Sequence, residues 1–188
     1  MSRERREKLC QLVREYALLR GEFTLSSGIT SSHYFDLRRV TLLPQGAYLV
    51  GKEMFELLAE AGAEAVGGLT LGADPVVAAI AVVSYLEGKP LPAFIVRTEP
   101  KKHGTRRYIE GVLPQRCRAA IVDDVVTTGA SLFRAIRAVE EEGCQVVKVA
   151  ALLDRQQGGS ERLRREGYDF TALLTCDESG EVLPSPAC

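Results

Sequence analysis

The sequence predicts an α/β fold, an open and mostly parallel sheet flanked by helices. Three observations lead there. Short apolar runs at 65–70, 93–97, 119–123 and 146–153 carry little polar alternation, the pattern of strands buried on both faces. Segments of helical period stand between some of them, at 75–86 and 130–142. The chain has 188 residues, 46% of them hydrophobic, which suits one compact domain over 1–188 with a substantial core.

Taken in order, Leu9, Leu12, Val13, Tyr16 and Leu19 recur at helical spacing in a charged background, so 2–19 reads as an amphipathic helix that Gly21 stops. Residues 23–25 and 34–37 read as short strands around a Ser/Gly/Thr loop at 26–32, and together with the helix they form a small N-terminal hood. Pro44 opens a helix to residue 61, and the β-α alternation follows. The stretch 98–115 is polar with few anchors to a core and reads as a mobile excursion. Residues 170–174 add an edge strand. No internal repeat, low-complexity tract or Pro/Gly/Ser linker divides the chain.

Composition excludes several functions. Lys and Arg (24) balance Asp and Glu (25), so no global field draws the protein to nucleic acid or an anionic membrane, and any phosphate binding is local. No apolar run approaches the roughly 20 residues that span a bilayer, and the charged start lacks a signal-peptide core, so the expected location is the cytosol. Five cysteines without a Cys-x-x-Cys pair suggest reduced thiols rather than a disulfide framework or a zinc site.

The chemistry concentrates in Ala120-Ile121-Val122-Asp123-Asp124-Val125-Val126-Thr127-Thr128-Gly129-Ala130-Ser131. An apolar strand ends in two acids, a small-residue loop follows, and a helix begins. Ligands of open α/β sheets sit beyond the carboxyl ends of strands, where Asp123 and Asp124 emerge. Two Thr hydroxyls, a Gly allowing close backbone approach and a helix N-terminus make a phosphate cup beside a diol or metal site. It is neither a Walker loop nor a dinucleotide fingerprint.

This run resembles the ribose-phosphate signature of type I phosphoribosyltransferases. Five further stretches, in order, resemble the orotate phosphoribosyltransferases: Phe23-Thr24-Leu25-Ser26-Ser27-Gly28; Tyr34-Phe35-Asp36-Leu37-Arg38; Gly68-Leu69-Thr70-Leu71-Gly72-Ala73-Asp74-Pro75; Phe94-Ile95-Val96-Arg97 with Lys101-Lys102-His103-Gly104; and Leu153-Asp154-Arg155-Gln156. The resemblance implies 5-phosphoribosyl-1-diphosphate and orotate as small-molecule substrates, magnesium as cofactor with ligands left unassigned, and a homodimer whose 98–115 loops close over the neighbouring subunit's site. Asp123 and Asp124 are then expected to hold the ribose hydroxyls, while Val125, Val126, Thr127, Thr128, Gly129, Ala130 and Ser131 wrap the 5-phosphate. Arg97, Lys101 and His103 go to the diphosphate, with Lys101 and His103 joining the Asp pair as the catalytic set. Leu71 and Gly72, at a strand-to-helix turn, cradle diphosphate. Arg155, at a strand's carboxyl edge, suits the planar carboxylate of orotate, with Tyr34, Phe35 and Thr127 also on the base.

The match has gaps. Many members carry a lysine in the loop here spanning 26–32, where the only basic side chain between Arg20 and Arg38 is His33. Members also commonly place Lys where Thr98 stands, and some place Lys at Gly72. Two other readings therefore stay open, transfer to another base such as a purine and a regulator that binds the phosphoribosyl ligand without turnover.

Overall fold

The computed structural model describes residues 2–24, 30–99 and 108–185. Helix α1 (Arg3–Leu12) starts at Ser2, whose side chain accepts from Arg5 N–H, and runs into a π-helical turn over Val13–Ala17. The helix expected to reach residue 19 stops at Ala17. Leu18 is extended, and Leu18, Leu19 and Arg20 pair with Phe35, Tyr34 and His33 in an antiparallel hairpin of β1 (Leu18–Thr24) and β2 (Thr30–Phe35). Ladder hydrogen bonds thus override a helical spacing that Leu19 only continues by coincidence. Gly21 sits inside β1, where the register shifts between Arg20 and Phe23, so it marks a bulge and not a helix stop. Residues 30–32, expected in a loop, belong to β2, and 25–29 lie outside the described residues.

A short helix α2 (Arg38–Thr41) leads to α3 (Pro44–Glu60), which has Pro at its first turn, where a missing N–H costs nothing. The hood is tied to α3 by Arg5, which reaches Glu53 and Glu56 at 2.5 Å each, and by the Ser2 N–H to Glu53 at 2.9 Å. Then come β3 (Ala65–Leu69), α4 (Ala73–Leu86), β4 (Ala93–Val96), β5 (Ile109–Gly111), β6 (Arg118–Val126), α5 (Ala130–Glu141), β7 (Gln145–Asp154), α6 (Gly159–Arg165), β8 (Phe170–Cys176) and β9 (Val182–Pro184). The main sheet runs β5-β4-β3-β6-β7-β8-β9, parallel except for the two edge pairs. The strand at 170–174 is therefore not the edge, because β9 covers it.

Both faces of this sheet are buried, as its apolar strands require. Ala120 and Val122 of β6 pack with α1, α3 and α4, whereas Ala119 and Ile121 pack with α5. The pleat makes that alternation, and it carries on into the two acids, which stand inside β6 rather than at the strand end the sequence suggested, since β6 runs on to Val126. Strand order reverses between β3 and β6: the chain builds outward to β4 on one side and to β7 and β8 on the other. A crevice opens at such a switch point, beyond the strands' carboxyl ends.

Candidate active site

The ends of β3 and β6 meet at that crevice. Continuing the β6 alternation, Asp123 turns to the α5 side and Asp124 to the α4 side. Asp123 is buried, accepts from Ser131 Oγ at 2.5 Å and accepts from the Asp124 N–H at 2.9 Å. Asp124 faces Gly72, where a side chain would place its Cβ 2.5 Å from Asp124 Oδ1. A side chain at this position would push the carboxylate aside, so glycine leaves Asp124 against the turn after β3. The Thr70–Leu71 peptide of that turn is cis.

Electrostatics follow from burial. Desolvation raises the Asp123 carboxyl well above the usual range, and the Asp124 charge raises it further. Asp124 is also raised by burial, against the lowering effects of the Asp123 hydrogen bond and the Arg38 charge. A pair in this condition takes up a proton, a cation or a ligand's hydroxyl donors.

The loop after β6 reverses at Gly129, which has φ 79°, and enters α5 with no side chain capping its first turn. Amide N–H groups at that end are available to an anion. Gly159, the first residue of α6, backs the loop: its N–H donates to Thr127 O at 2.8 Å, and a Cβ there would stand 2.5 Å from that oxygen and 2.7 Å from the Gly129 nitrogen. Beside the loop lies a cleft of about 810 Å³, a size typical of small-molecule sites. Tyr34, Phe35, Asp36, Leu37 and Arg38 line one wall, Gly72 and Asp124 another, and Val125, Thr127, Thr128, Ala130, Arg155 and Gln157 the rest.

The crevice thus gathers most of the residues singled out from sequence, but in different capacities. Val126 is buried in the α5-side core and contributes its backbone, with its carbonyl accepting from the Arg155 N–H at 3.0 Å. Leu71 is exposed. Arg97 stands apart from the main cleft, in a neighbouring hollow with Thr70, Thr98 and Glu110, where it faces Glu110 at 3.4 Å. Lys101 and His103 lie outside the described residues.

The phosphoribosyl transferase domain family matches residues 117–175, the stretch from β6 through β8. Over 176 residues the chain is 46% identical to the orotate phosphoribosyltransferase of Aquifex aeolicus, covering 92% of this chain and 96% of that relative. The chain belongs to the orotate phosphoribosyltransferase family. Among solved structures, Mycobacterium tuberculosis orotate phosphoribosyltransferase in complex with Fe(III) dicitrate superimposes with a TM-score of 0.81 at 42% identity, covering 91% of this chain and 96% of that one. The complex of the Mycobacterium tuberculosis enzyme with 5-phospho-alpha-D-ribosyl 1-diphosphate gives 0.77 at 40% identity, with the same coverage.

Within this orotate phosphoribosyltransferase fold, sequence reading left some site residues unassigned. Arg38 lines the cleft, with its Nε donating to Asp36 Oδ1 at 2.8 Å; an Asp-x-Arg pair leaving a strand was the available signal. Gly159 and His33 gave none, since each meets its neighbour, Thr127 and Arg155, only across the fold. Asp74 accepts from Thr70 Oγ1 at 2.8 Å, while its Oδ1 is buried without a partner. Among the described residues no three acidic, His or Cys side chains cluster as a metal cage. Magnesium seldom needs one, because it binds through one or two carboxylates, water and substrate phosphates, and Asp124, which lines the cleft, fits that habit.

Proposed function

We propose that this chain transfers the phosphoribosyl group of 5-phosphoribosyl-1-diphosphate to orotate, giving orotidine 5-phosphate and diphosphate, a step of pyrimidine nucleotide synthesis. The observation that carries the reading is the convergence on one cleft of Asp124, backed by the buried Asp123, the uncapped N-terminus of α5 and Arg155. Thr127 to Ser131 receive the 5-phosphate, with Val125 and Val126 supplying backbone. Asp123 and Asp124 hold the ribose hydroxyls. Leu71, Gly72, Arg97, Lys101 and His103 take the diphosphate, and Tyr34, Phe35, Thr127 and Arg155 take the base.

Displacement at the anomeric carbon develops positive charge on the ribose and negative charge on the departing diphosphate. Two carboxylates beneath the ring and cations beyond it oppose those charges, so positioning and fixed electrostatics supply the rate without a covalent intermediate. Magnesium, when bound, neutralises part of the diphosphate charge. Asp124, with Asp123 behind it, would hold it directly or through water.

The working unit in this proposal is a homodimer in which the loop between β4 and β5 serves the partner's site; the rest of the expected 98–115 excursion includes β5, which belongs to this chain's own sheet. Val82, Tyr85 and Leu86, exposed at positions 3 and 4 apart on one face of α4, suit an apolar contact between copies. A cytosolic setting agrees with the free thiols of Cys10, Cys117, Cys144 and Cys176. No helix among the described residues is long and apolar enough to cross a membrane. The test is turnover: with 5-phosphoribosyl-1-diphosphate, orotate and magnesium, the purified protein is expected to release diphosphate in step with nucleotide. Saturable ligand binding without diphosphate release would contradict an enzymatic role.

A further inference from the structure

Arg155 is held from behind. β7 ends at Asp154, and the backbone bond from Arg155 to Val126 fixes where the side chain departs. That side chain is 8% exposed, yet lines the cleft. Two β2 residues meet it: His33 Nε2 lies 3.1 Å from Arg155 Nη2, and the Phe35 ring centre lies 5.7 Å from the guanidinium carbon. Strand alternation puts His33 and Phe35 on the same face, their rings edge-on at 5.6 Å, and sends Tyr34 to the other.

A guanidinium only donates, so the short contact makes His33 Nε2 the acceptor and leaves the ring proton on Nδ1. The charged groups facing this imidazole are Arg155 just beyond β7, Arg20 opposite it in the hairpin, and Asp177 from the turn between β8 and β9. Burial first, then Arg155 and Arg20, push its pKa below the ordinary histidine value, against a smaller pull from Asp177. Gly180 of the same turn, at φ 82°, closes the ring's other side, where a Cβ would come within 3.1 Å.

We propose that His33 is a positioning residue for the acceptor base: its neutral imidazole anchors one arm of Arg155 and aims the rest of the guanidinium at the base's carboxylate. This role rests on the reading of Arg155 as the carboxylate's partner. A protonated ring cannot accept and sets a second cation against the guanidinium, so acidification below the normal histidine range is expected to weaken orotate selectively.

The experiment measures KM for both substrates and kcat from pH 5 to 8 for the wild type, His33→Phe, His33→Gln and Arg155→Gln, with thermal melts to confirm folding. Losing one hydrogen bond to a charged group, His33→Phe is expected to raise the orotate KM about tenfold at pH 7.5, with the diphosphate substrate's KM little changed. His33→Gln, whose amide oxygen accepts at every pH, restores a low KM and removes the extra acid-side rise of the wild type. Nitrogen NMR of the ring, simplified because the chain has only two histidines, is expected to show the Nδ1–H form even if a variant fails to fold. An Nε2–H tautomer, or an unchanged orotate KM in His33→Phe while Arg155→Gln raises it, overturns the role of His33. An unchanged KM in Arg155→Gln overturns instead the assignment of Arg155.

Discussion

Asp123 and Asp124 are chain neighbours with different surroundings, because one pleat sends the first toward Ser131 and the second toward Gly72. Each has a raised pKa, so the folded chain binds protons more tightly than the unfolded one. Stability then falls as pH rises from the unfolded carboxyl value through the raised folded values, and the penalty persists at pH 7. Asp123→Asn with Asp124→Asn is expected to abolish most turnover while raising the metal-free melting temperature at pH 7 by about 2–4 °C, the shift that ~1 kcal/mol produces at this size. The gain should vanish near pH 4; a lower melting temperature at pH 7 would mean that the pair supports the fold. These acids were legible in the sequence because strand, acids and turn are contiguous. His33 was not, since its partner Arg155 is 122 positions away and only the fold joins them.

At the scale of elements, the loop from Thr127 to Gly129 keeps its shape because α6 begins against it. Gly159→Ala would drive a methyl group into backbone atoms of the loop, which cannot swing aside as a side chain can. Turnover is expected to fall at least tenfold with a matching rise in KM for 5-phosphoribosyl-1-diphosphate, read from initial rates; unchanged kinetics would detach α6 from the phosphate cup. Sequence periodicity located β3, β4, β7 and the helices α4 and α5 closely, because buried strands and amphipathic helices write their pattern over many residues, but it ended β6 at Asp123 where the strand runs to Val126, because the two acids interrupt the apolar run. It missed β5 and β9, each of three residues and too short for a period, and α6, whose Ser-Glu-Arg-Leu-Arg-Arg run shows one buried leucine, Leu163. It also overran α1, because local spacing cannot register that β2 offers Leu18 and Leu19 a ladder.

For the whole molecule, the reversal of strand order between β3 and β6 sets the site, and the two buried sheet faces hold it rigid. Neither the crevice nor its 810 Å³ could be read from one segment alone, whereas the α/β class could, from strands without polar alternation. If the loop between β4 and β5 serves the neighbouring copy, Lys101→Ala and the double Asp variant, each impaired alone, are expected to regain activity when mixed and allowed to exchange subunits. Each mixed dimer then owns one complete site; no recovery after verified exchange would place the loop over its own chain's site. The most direct test of the central claim is magnesium-dependent nucleotide formation from 5-phosphoribosyl-1-diphosphate with orotate, uracil, adenine, guanine and hypoxanthine offered separately. Orotate is expected to react alone, because among these bases only it carries the carboxylate that Arg155 is proposed to receive. Turnover of a purine, with orotate inert, would contradict it.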